Sequence, residues 1–331
     1  MKAIVIDQFG GPDVFRQTEL PDPEPIPGHI VIRAAATSVN PIDYKVRNGF
    51  VPAFAPAFPA VLHGDIAGVV EAVGPGVTKF KPGDEVYACA GGFTGLPGGA
   101  LAEYMLADEA LAALKPKTLS MSETAALPLV SITAWEALFD RAQLHKGQHV
   151  LVHAGAGGVG HIALQLAKWA GARVAATVSD ERKAEIAKNF GADEIIMYRR
   201  EGVSEYVDRL TGSKGFDIVF DTVGGENLDR SFEAAREGGT VVNIAARSTH
   251  NLAPMHQKAL SLHVVLMLLT MIRNRDRQKH GDILARIAAL ADEGRIKPLI
   301  DERRFHITEA GEAHAYAESG RAVGKVVISH N

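Results

Sequence analysis

The chain has 331 residues, of which 47% are hydrophobic and 22% are charged. This length predicts about two domains, and the composition excludes global disorder. The formal net charge of -4 argues against a broad basic surface for nucleic acid. A single cysteine, Cys89, excludes an internal disulfide and fits a reducing compartment, so we expect a cytoplasmic protein.

The amino terminus lacks the apolar region and small-residue cleavage site of a secretory signal. The most apolar stretch, residues 259–272, contains Ser261, His263 and Thr270 and is shorter than the roughly 20 residues of a membrane helix. We therefore expect neither export nor a membrane span.

Residues 1–124 show short Val- and Ile-rich runs separated by Gly and Pro, which is typical of an irregular β domain. The predicted strands are Ala3–Ile6, Ile30–Ala34, Ala67–Val73 and Glu85–Ala88. Residues 50–60 alternate aromatic residues, Pro and Ala, so they cannot form a central strand. This segment either walls an apolar pocket or packs on its own domain.

Residues 125–266 alternate apolar strands with amphipathic helices, which predicts a doubly wound parallel sheet. Its six predicted strands are Val150–His153, Arg173–Val178, Glu194–Met197, Asp217–Phe220, Thr240–Ile244 and Leu262–Leu266. The helices between them are Val159–Ala170, Glu181–Asn189, Ser204–Leu210 and Asn227–Arg236. Residues 267–331 break the alternation, so we expect them to return to the first domain with a helix, Asp282–Glu293, and two strands, Arg303–His306 and Lys325–Ile328.

The strongest motif lies directly after the first strand of the alternating region. Gly155, Gly157 and Gly160 satisfy G-x-G-x-x-G before a helix, and Gly158 and Val159 complete the turn. The glycines permit a tight turn, approach of the backbone to a diphosphate, and close helix packing. The motif therefore predicts a dinucleotide site.

Dinucleotide sites bind the ribose 2′ position with a residue at the end of the second strand. In this sequence the second predicted strand of the alternating region ends without a carboxylate. Asp180 follows closely, and it either reads the ribose or lies in the first turn of the next helix. Ser179 and Lys183 instead suit a 2′-phosphate, so we expect NADPH rather than NADH.

Three segments of the first domain carry a family resemblance: Ser38 to Gly49, Gly64 to Gly74, and Lys81 to Val86. They resemble the medium-chain dehydrogenase/reductase superfamily, and segments 125–138 and 318–327 look like its quinone oxidoreductase branch. The resemblance implies an α/β fold with a GroES-like, mostly β catalytic domain (residues 1–124), a Rossmann domain with a six-stranded parallel sheet (125–266) and a return segment (267–331). It also implies a homodimer.

Zinc-binding members carry a Cys, a His and a further Cys or acid, where this sequence has Asn40, Gly64 and Leu129. We therefore expect no metal, and hydride transfer to a quinone or an α,β-unsaturated carbonyl (an enone). Asn40 to Lys45 looks like the N-P-x-D-x-K stretch of enone-reducing members, where Asn and Lys face the nicotinamide. The proton donor stays open between Tyr44, Lys45 and water.

The resemblance assigns further cofactor contacts: Thr133 near the nicotinamide, Ser179, Lys183 and Tyr198 near the 2′-phosphate, Asn243 on the adenosine or bridging-phosphate side, and Arg321 from the tail. Two alternatives stay open. One is an enoyl-thioester reductase, for which the basic cluster Arg273, Arg275, Arg277 and Lys279 would bind the CoA or carrier-protein arm. The other is a non-catalytic NADPH-binding protein.

Overall fold

A computed structural model describes residues 1–330 and divides the chain into two compact units. Unit 1 contains residues 1–132 together with the chain from residue 268 onward. Unit 2 contains residues 133–267. No helix in the described part of the chain is both long enough and apolar enough to cross a membrane.

Sixteen strands are present among the described residues. In chain order they are β1 (Lys2–Ile6), β2 (Arg16–Glu19), β3 (His29–Val39), β4 (Ala60–Val61), β5 (Asp65–Val73), β6 (Glu85–Cys89), β7 (Tyr104–Asp108), β8 (Ala112–Leu114), β9 (His149–Val152), β10 (Arg173–Val178), β11 (Glu194–Met197), β12 (Phe216–Asp221), β13 (Ala235–Asn243), β14 (Ser261–Val264), β15 (Ile300–His306) and β16 (Lys325–Ser329).

Eleven α-helices accompany them in the described chain. They are α1 (Pro41–Arg47), α2 (Met121–Ala125), α3 (Pro128–Trp135), α4 (Gly160–Trp169), α5 (Glu181–Asn189), α6 (Val203–Thr211), α7 (Asn227–Ala234), α8 (Ala253–Gln257), α9 (Leu268–Ile272), α10 (Arg277–Asp292) and α11 (Ala310–Glu318). A wider π-helical turn, Glu136–Arg141, follows α3.

Unit 1 is built on a seven-stranded sheet in the order β15-β16-β3-β5-β6-β8, with β7 also paired to β3. A smaller sheet has the order β2-β1-β4. The carboxyl-terminal strand β16 pairs antiparallel with β3, Val326 opposite Val39. The two halves of unit 1, which are far apart in sequence, therefore share one sheet.

Unit 2 contains the parallel six-stranded sheet, in the order β11-β10-β9-β12-β13-β14. Its order reverses at β9, which is typical of a doubly wound sheet with its ligand site at the carboxyl ends of the strands. One face is covered by α6 and α7 through a core that includes Leu151, Ala175, Val219 and Phe232. The predicted α/β fold class is confirmed.

Several element boundaries differ from the predictions. The helix predicted to extend to Arg236 ends at Ala234, because Ala235 is already extended and begins β13. The helix predicted from Asp282 begins at Arg277. Helix α1 was not predicted because it is only seven residues long. Its start is nevertheless defined: Asn40 precedes it, Pro41 takes its first position, and Asp43 Oδ2 accepts the Asn40 N–H at 2.7 Å.

Candidate active site

The glycine-rich turn connects β9 to α4 in the way the sequence predicts. A Cβ on Gly160 would lie 2.1 Å from the Ala154 carbonyl oxygen, and one on Gly155 would lie 2.7 Å from the Ala176 Cβ. Around Gly157 only Ala154 atoms come within 4 Å of such a Cβ. Packing thus requires Gly155 and Gly160, and a Cβ on Gly157 would also lie close to the Ala154 carbonyl oxygen, at 3.0 Å. Such a glycine-rich turn at the start of α4 fits the diphosphate of a dinucleotide.

Thr177 supports this turn from the neighbouring strand, and the sequence motif gave no sign of it. Its Oγ1 accepts the Ala154 N–H at 3.0 Å, and its carbonyl oxygen accepts the Gly155 N–H at 3.1 Å. His153 Nδ1 lies 3.2 Å from the same hydroxyl, and burial lowers the pKa of His153 to about 4. The turn is therefore held by a buried, neutral polar group on β10.

Asp180 caps helix α5. Its Oδ1 accepts the Lys183 N–H at 3.0 Å, and its Oδ2 accepts the Ser179 hydroxyl at 2.7 Å. These two hydrogen bonds, with that from Ser179 the stronger influence, lower the pKa of Asp180. Of the two roles that the sequence left open for Asp180, the geometry favours the start of the helix.

Tyr198 lies beside this cap, at the end of the neighbouring strand. The Tyr198 N–H donates to the Val178 carbonyl oxygen at 3.3 Å, and the ring is 46% exposed. Arg199 lies 5.9 Å from the centre of the Tyr198 ring and helps to lower the pKa of Asp180. Arg199 was not predicted from the sequence, although it directly follows a predicted contact residue.

Asn243 is fully buried at the end of β13. Its Nδ2 donates to Asp221 Oδ2 at 2.8 Å, and its Oδ1 accepts the Ala245 N–H at 2.6 Å. Asp221 Oδ1 also accepts the N–H groups of Val223 and Gly224. A cofactor contact of Asn243 therefore has to use its backbone, the second N–H of Nδ2 or the second lone pair of Oδ1.

Thr133 is buried within α3. Arg321 lies in unit 1, where its Nε donates to Ser319 Oγ at 3.1 Å and its guanidinium stacks over Tyr316. In the basic cluster, Arg277 is held by Asp108 and by the Met271 carbonyl oxygen. That arginine is therefore part of the fold of unit 1.

Helix α1 presents Tyr44 and Lys45, both half-buried. Burial raises the pKa of Tyr44, with smaller contributions from Glu318 and Asp43. Behind them the fully buried Arg47 is paired with Glu318 at 2.8 Å. The helix is thus fixed at its inner face while Tyr44 and Lys45 stay accessible.

The side chain of Asn40, just before α1, is hydrogen-bonded at both ends of its amide. Its Nδ2 donates to Asp65 Oδ2 at 2.8 Å, its Oδ1 accepts from Lys325 Nζ, and it is 1% exposed. Lys325 Nζ lies 3.7 Å from Asp65 Oδ2. The predicted catalytic asparagine thus has its whole side chain in a buried network, two members of which, Asp65 and Lys325, were not predicted.

A pair of buried histidines extends this network. Thr37 Oγ1 donates to the Asp65 carbonyl oxygen at 2.5 Å, so it accepts from His63 Nδ1 at 3.1 Å. His63 Nε2 is then an acceptor, and His314 Nε2 donates to it at 2.7 Å. His314 Nδ1 has no hydrogen-bond partner among residues 1–330. Both rings are therefore neutral, and burial lowers the pKa of His63 to about 3.

At the three positions where zinc-binding members hold their ligands, Asn40 is bonded as described, Gly64 has no side chain, and the Leu129 N–H donates to Asp65 Oδ1 at 2.9 Å. Within residues 1–330 no three His, Cys, Asp or Glu side chains are grouped to hold a metal ion.

Comparison with known proteins identifies the family. The family models "Alcohol dehydrogenase GroES-like domain" and "Zinc-binding dehydrogenase" match residues 26–117 and 190–328. The NADPH-dependent alkenal/one oxidoreductase of Arabidopsis thaliana is 34% identical over 99% of this chain and 79% of its own length. The chain belongs to the medium-chain dehydrogenase/reductase superfamily. The predicted resemblance is confirmed.

Solved structures agree with this assignment to the superfamily. An alcohol dehydrogenase superfamily protein of Novosphingobium aromaticivorans has a TM-score of 0.95 and 38% identity over 100% of both chains. The quinone oxidoreductase of Escherichia coli, solved with NADPH, has a TM-score of 0.87 and 30% identity over 99% of this chain and 100% of its own. Within the superfamily the chain belongs to the quinone oxidoreductase branch.

The neutral histidine pair predicts a specific dependence of stability on pH. Folded His63 has a pKa of about 3 against an ordinary value of 6.5, so the unfolded chain takes up the proton first as the pH falls. Stability from this group is complete above pH 6.5 and is lost towards pH 3. By linkage, lowering the pH from 8 to 5 costs about 2 kcal/mol for one such histidine.

The test compares urea unfolding of the wild type with His63→Asn, since Asn tolerates the positive φ of 72° at this position. The pH dependence of the variant's unfolding free energy should be shallower by about 2 kcal/mol. Burial raises the pKa of Asp43 to about 7, so this group makes the folded state more stable as the pH falls. It does so in the wild type and in the variant alike, so the test uses the difference between their two pH dependences. Equal slopes would contradict the assignment of His63 as a buried neutral base.

Proposed function

We propose that this chain is an NADPH-dependent, zinc-independent reductase that transfers hydride to quinones or α,β-unsaturated carbonyls. The observation that carries the proposal is similarity over nearly the whole chain to reductases named for alkenals, enones and quinones. It is supported by a glycine-rich turn that leads into the start of α4, the kind of turn that holds a dinucleotide diphosphate. Functionally, residues 1–124 and 267–331 supply the catalytic domain and 125–266 the cofactor domain.

The cofactor preference rests on Ser179, Lys183 and Tyr198, with Arg199 added by the structure. Asp180 lies among these residues, and each of its oxygens already accepts one hydrogen bond as the cap of α5, which favours the helix over the ribose hydroxyls as its partner. A doubly charged phosphate suits this group of hydroxyl and cationic side chains. Gly155, Gly157, Gly158, Val159 and Gly160 would hold the diphosphate.

The chemistry on the substrate side rests on α1. When bound, NADPH supplies the hydride that reaches the β-carbon of the substrate. Lys45 donates a hydrogen bond to the carbonyl oxygen as negative charge develops there, and Tyr44 or water supplies the proton. Asn40 acts through the buried network, because it connects Asp65 and Lys325 at the start of the helix that carries Lys45.

Independence from zinc follows from donor chemistry. An amide bonded at both ends, a glycine and a leucine cannot replace thiolate, imidazole and carboxylate ligands. The substrate must then have a carbonyl group conjugated strongly enough to accept hydride without a Lewis acid.

The assembly proposal is a cytoplasmic homodimer. It is supported by strand β14 at the edge of the parallel sheet, whose last residue Val264 is exposed, and by the exposed Leu266 that follows it. An exposed apolar edge strand is a ready surface for pairing with a second copy.

The direct test of the function is NADPH oxidation with a panel of enones and quinones, scored by initial rate with and without a strong chelator. We expect turnover of both classes and full activity in the chelator. Metal analysis should give far less than one zinc per chain. Inactivation by the chelator, together with about one zinc per chain, would refute zinc independence, and no NADPH oxidation with any acceptor would refute the reductase.

Lys183 tests the cofactor preference. Lys183→Met should weaken NADPH binding by about 10- to 100-fold, because a charge-assisted hydrogen bond contributes roughly 1.5 to 3 kcal/mol. NADH affinity should change by less than about twofold, since it has no 2′-phosphate. Lys188→Met, on the same helix but in its last turn, is the matched control for isothermal titration. An equal loss of affinity for both cofactors would contradict a phosphate contact.

Lys45 tests the oxyanion role. Lys45→Met keeps the apolar stem and removes the donor, so kcat for enones should fall by up to about 10²- to 10³-fold while NADPH affinity is nearly unchanged. Quinones should lose less, because they accept hydride with less help. Lys117→Met, an exposed lysine of the same unit, is the control. A change in enone kcat within a factor of about two would show that Lys45 is not the donor.

A further inference from the structure

Three exposed phenylalanines lie close together in unit 1, because Phe9 packs on Phe58 and on Gly49, the residue before Phe50. Phe50 is 70% exposed, Phe58 42% and Phe9 37%. The Phe9 and Phe58 rings meet edge to face with centres 5.1 Å apart, and Phe9 lies against Gly49, where a Cβ would be 3.0 Å from its Cγ. We call Phe9, Phe50 and Phe58 the phenylalanine surface. Single exposed apolar residues are ordinary, whereas a contiguous group indicates a binding surface.

The segment between these residues is unusual for exposed chain. Residues 48–62 contain no ionisable side chain. Charged residues are close by, but Asp7 and Arg16 are paired with each other. A ligand that covers the phenylalanine surface therefore meets hydrocarbon without having to desolvate a charge within this segment.

The backbone under this surface is fixed. The Gly10 N–H donates to the Arg47 carbonyl oxygen at 2.9 Å, and Arg47 Nε donates back to the Gly10 carbonyl oxygen at 3.1 Å. The Thr94 N–H donates to the Phe54 carbonyl oxygen at 2.9 Å, and the buried Val51 and Ala60 anchor the loop on either side. The phenylalanines are thus held exposed, because the backbone that carries them is anchored to the core.

The surface begins where α1 ends. The Phe50 N–H donates to the Lys45 carbonyl oxygen at 2.9 Å, and Gly49 makes the turn with a φ of 75°. A hydrogen-bond donor for a carbonyl oxygen is therefore followed directly by an apolar surface. This juxtaposition matches a ligand with a polar carbonyl end and an apolar body.

We propose that the phenylalanine surface binds the apolar substituent of the carbonyl substrate, so that the preferred substrates are enones or quinones with an extended alkyl or aryl group rather than short ones. The proposal rests on the reductase function proposed above. It names the part of unit 1 that selects among substrates of that class.

The experiment compares two enones with the same reacting group, 3-penten-2-one and 3-nonen-2-one, which differ only in the length of the β-alkyl chain. The wild type should prefer the longer enone in kcat/KM by at least about 10-fold, chiefly through KM, since each buried methylene favours binding. The double variant Phe50→Ala/Phe58→Ala should lower kcat/KM for the longer enone about 10-fold more than for the shorter one.

Two further variants make the result specific. Phe50→Leu keeps an apolar side chain and should retain most of the preference. Leu114→Ala removes an exposed apolar residue of unit 1 on β8 and should leave the preference as in the wild type. The substituted side chains are exposed, so we expect each variant to fold, and thermal melting checks this.

The outcomes separate the two proposals. No NADPH oxidation with either enone or with quinones would refute the reductase function itself. Turnover of both enones without a preference, or a preference that survives in the double variant, would overturn the substrate subsite alone. If the double variant changes the sedimentation coefficient from dimer to monomer and leaves the preference intact, the surface is an interface between copies and the subsite proposal is wrong.

Discussion

The arrangement of unit 1 depends on the hydrogen bonds and the ion pair of one buried carboxylate, that of Asp65. One oxygen accepts the Leu129 N–H, and the other accepts from Ser38 and Asn40 and faces Lys325. These partners come from the end of β3, the start of α3 and the first residue of β16. A buried carboxylate without partners would cost several kcal/mol. Its four partners therefore have to arrive together, and they bring three segments of sequence to the strand that carries Asp65.

A second carboxylate has the corresponding role in unit 2. Asp221 accepts from two loop amides and from the side chains of Asn227 and Asn243, at the carboxyl ends of β12 and β13. In both units the buried acid has its hydrogen bonds satisfied by neighbouring backbone and side-chain groups. The groups suited to a ligand, Lys45 and Lys183, are instead half-buried. This separates the residues that hold the site from those that act in it.

The sequence predicted what local patterns determine. Strands β10 and β11 and helix α5 match their predicted bounds, because β-branched runs and an N-terminal Asp cap are local signals. Glycines 155, 157 and 160 were predicted for the same reason. Asp65, Lys325 and the pair His63 and His314 were not, because contacts across roughly 250 residues leave no local pattern. At position 40 the motif gave the residue type but not the partners of its amide, Asp65 and Lys325.

The charges of Asp65 and Lys325 explain why an asparagine suits position 40. A side chain between a buried carboxylate and a buried ammonium has to donate to the first and accept from the second. An amide does both while remaining neutral, and Asn40 uses Nδ2 for Asp65 and Oδ1 for Lys325. A thiolate at this position would add a negative charge beside Asp65 and remove one of the donors to that carboxylate. Asn40 stands at a position where zinc-binding members of the superfamily hold a ligand, and here it is coupled to Lys325 and Asp65. Exchanging it for a metal ligand would therefore require changing these partners as well.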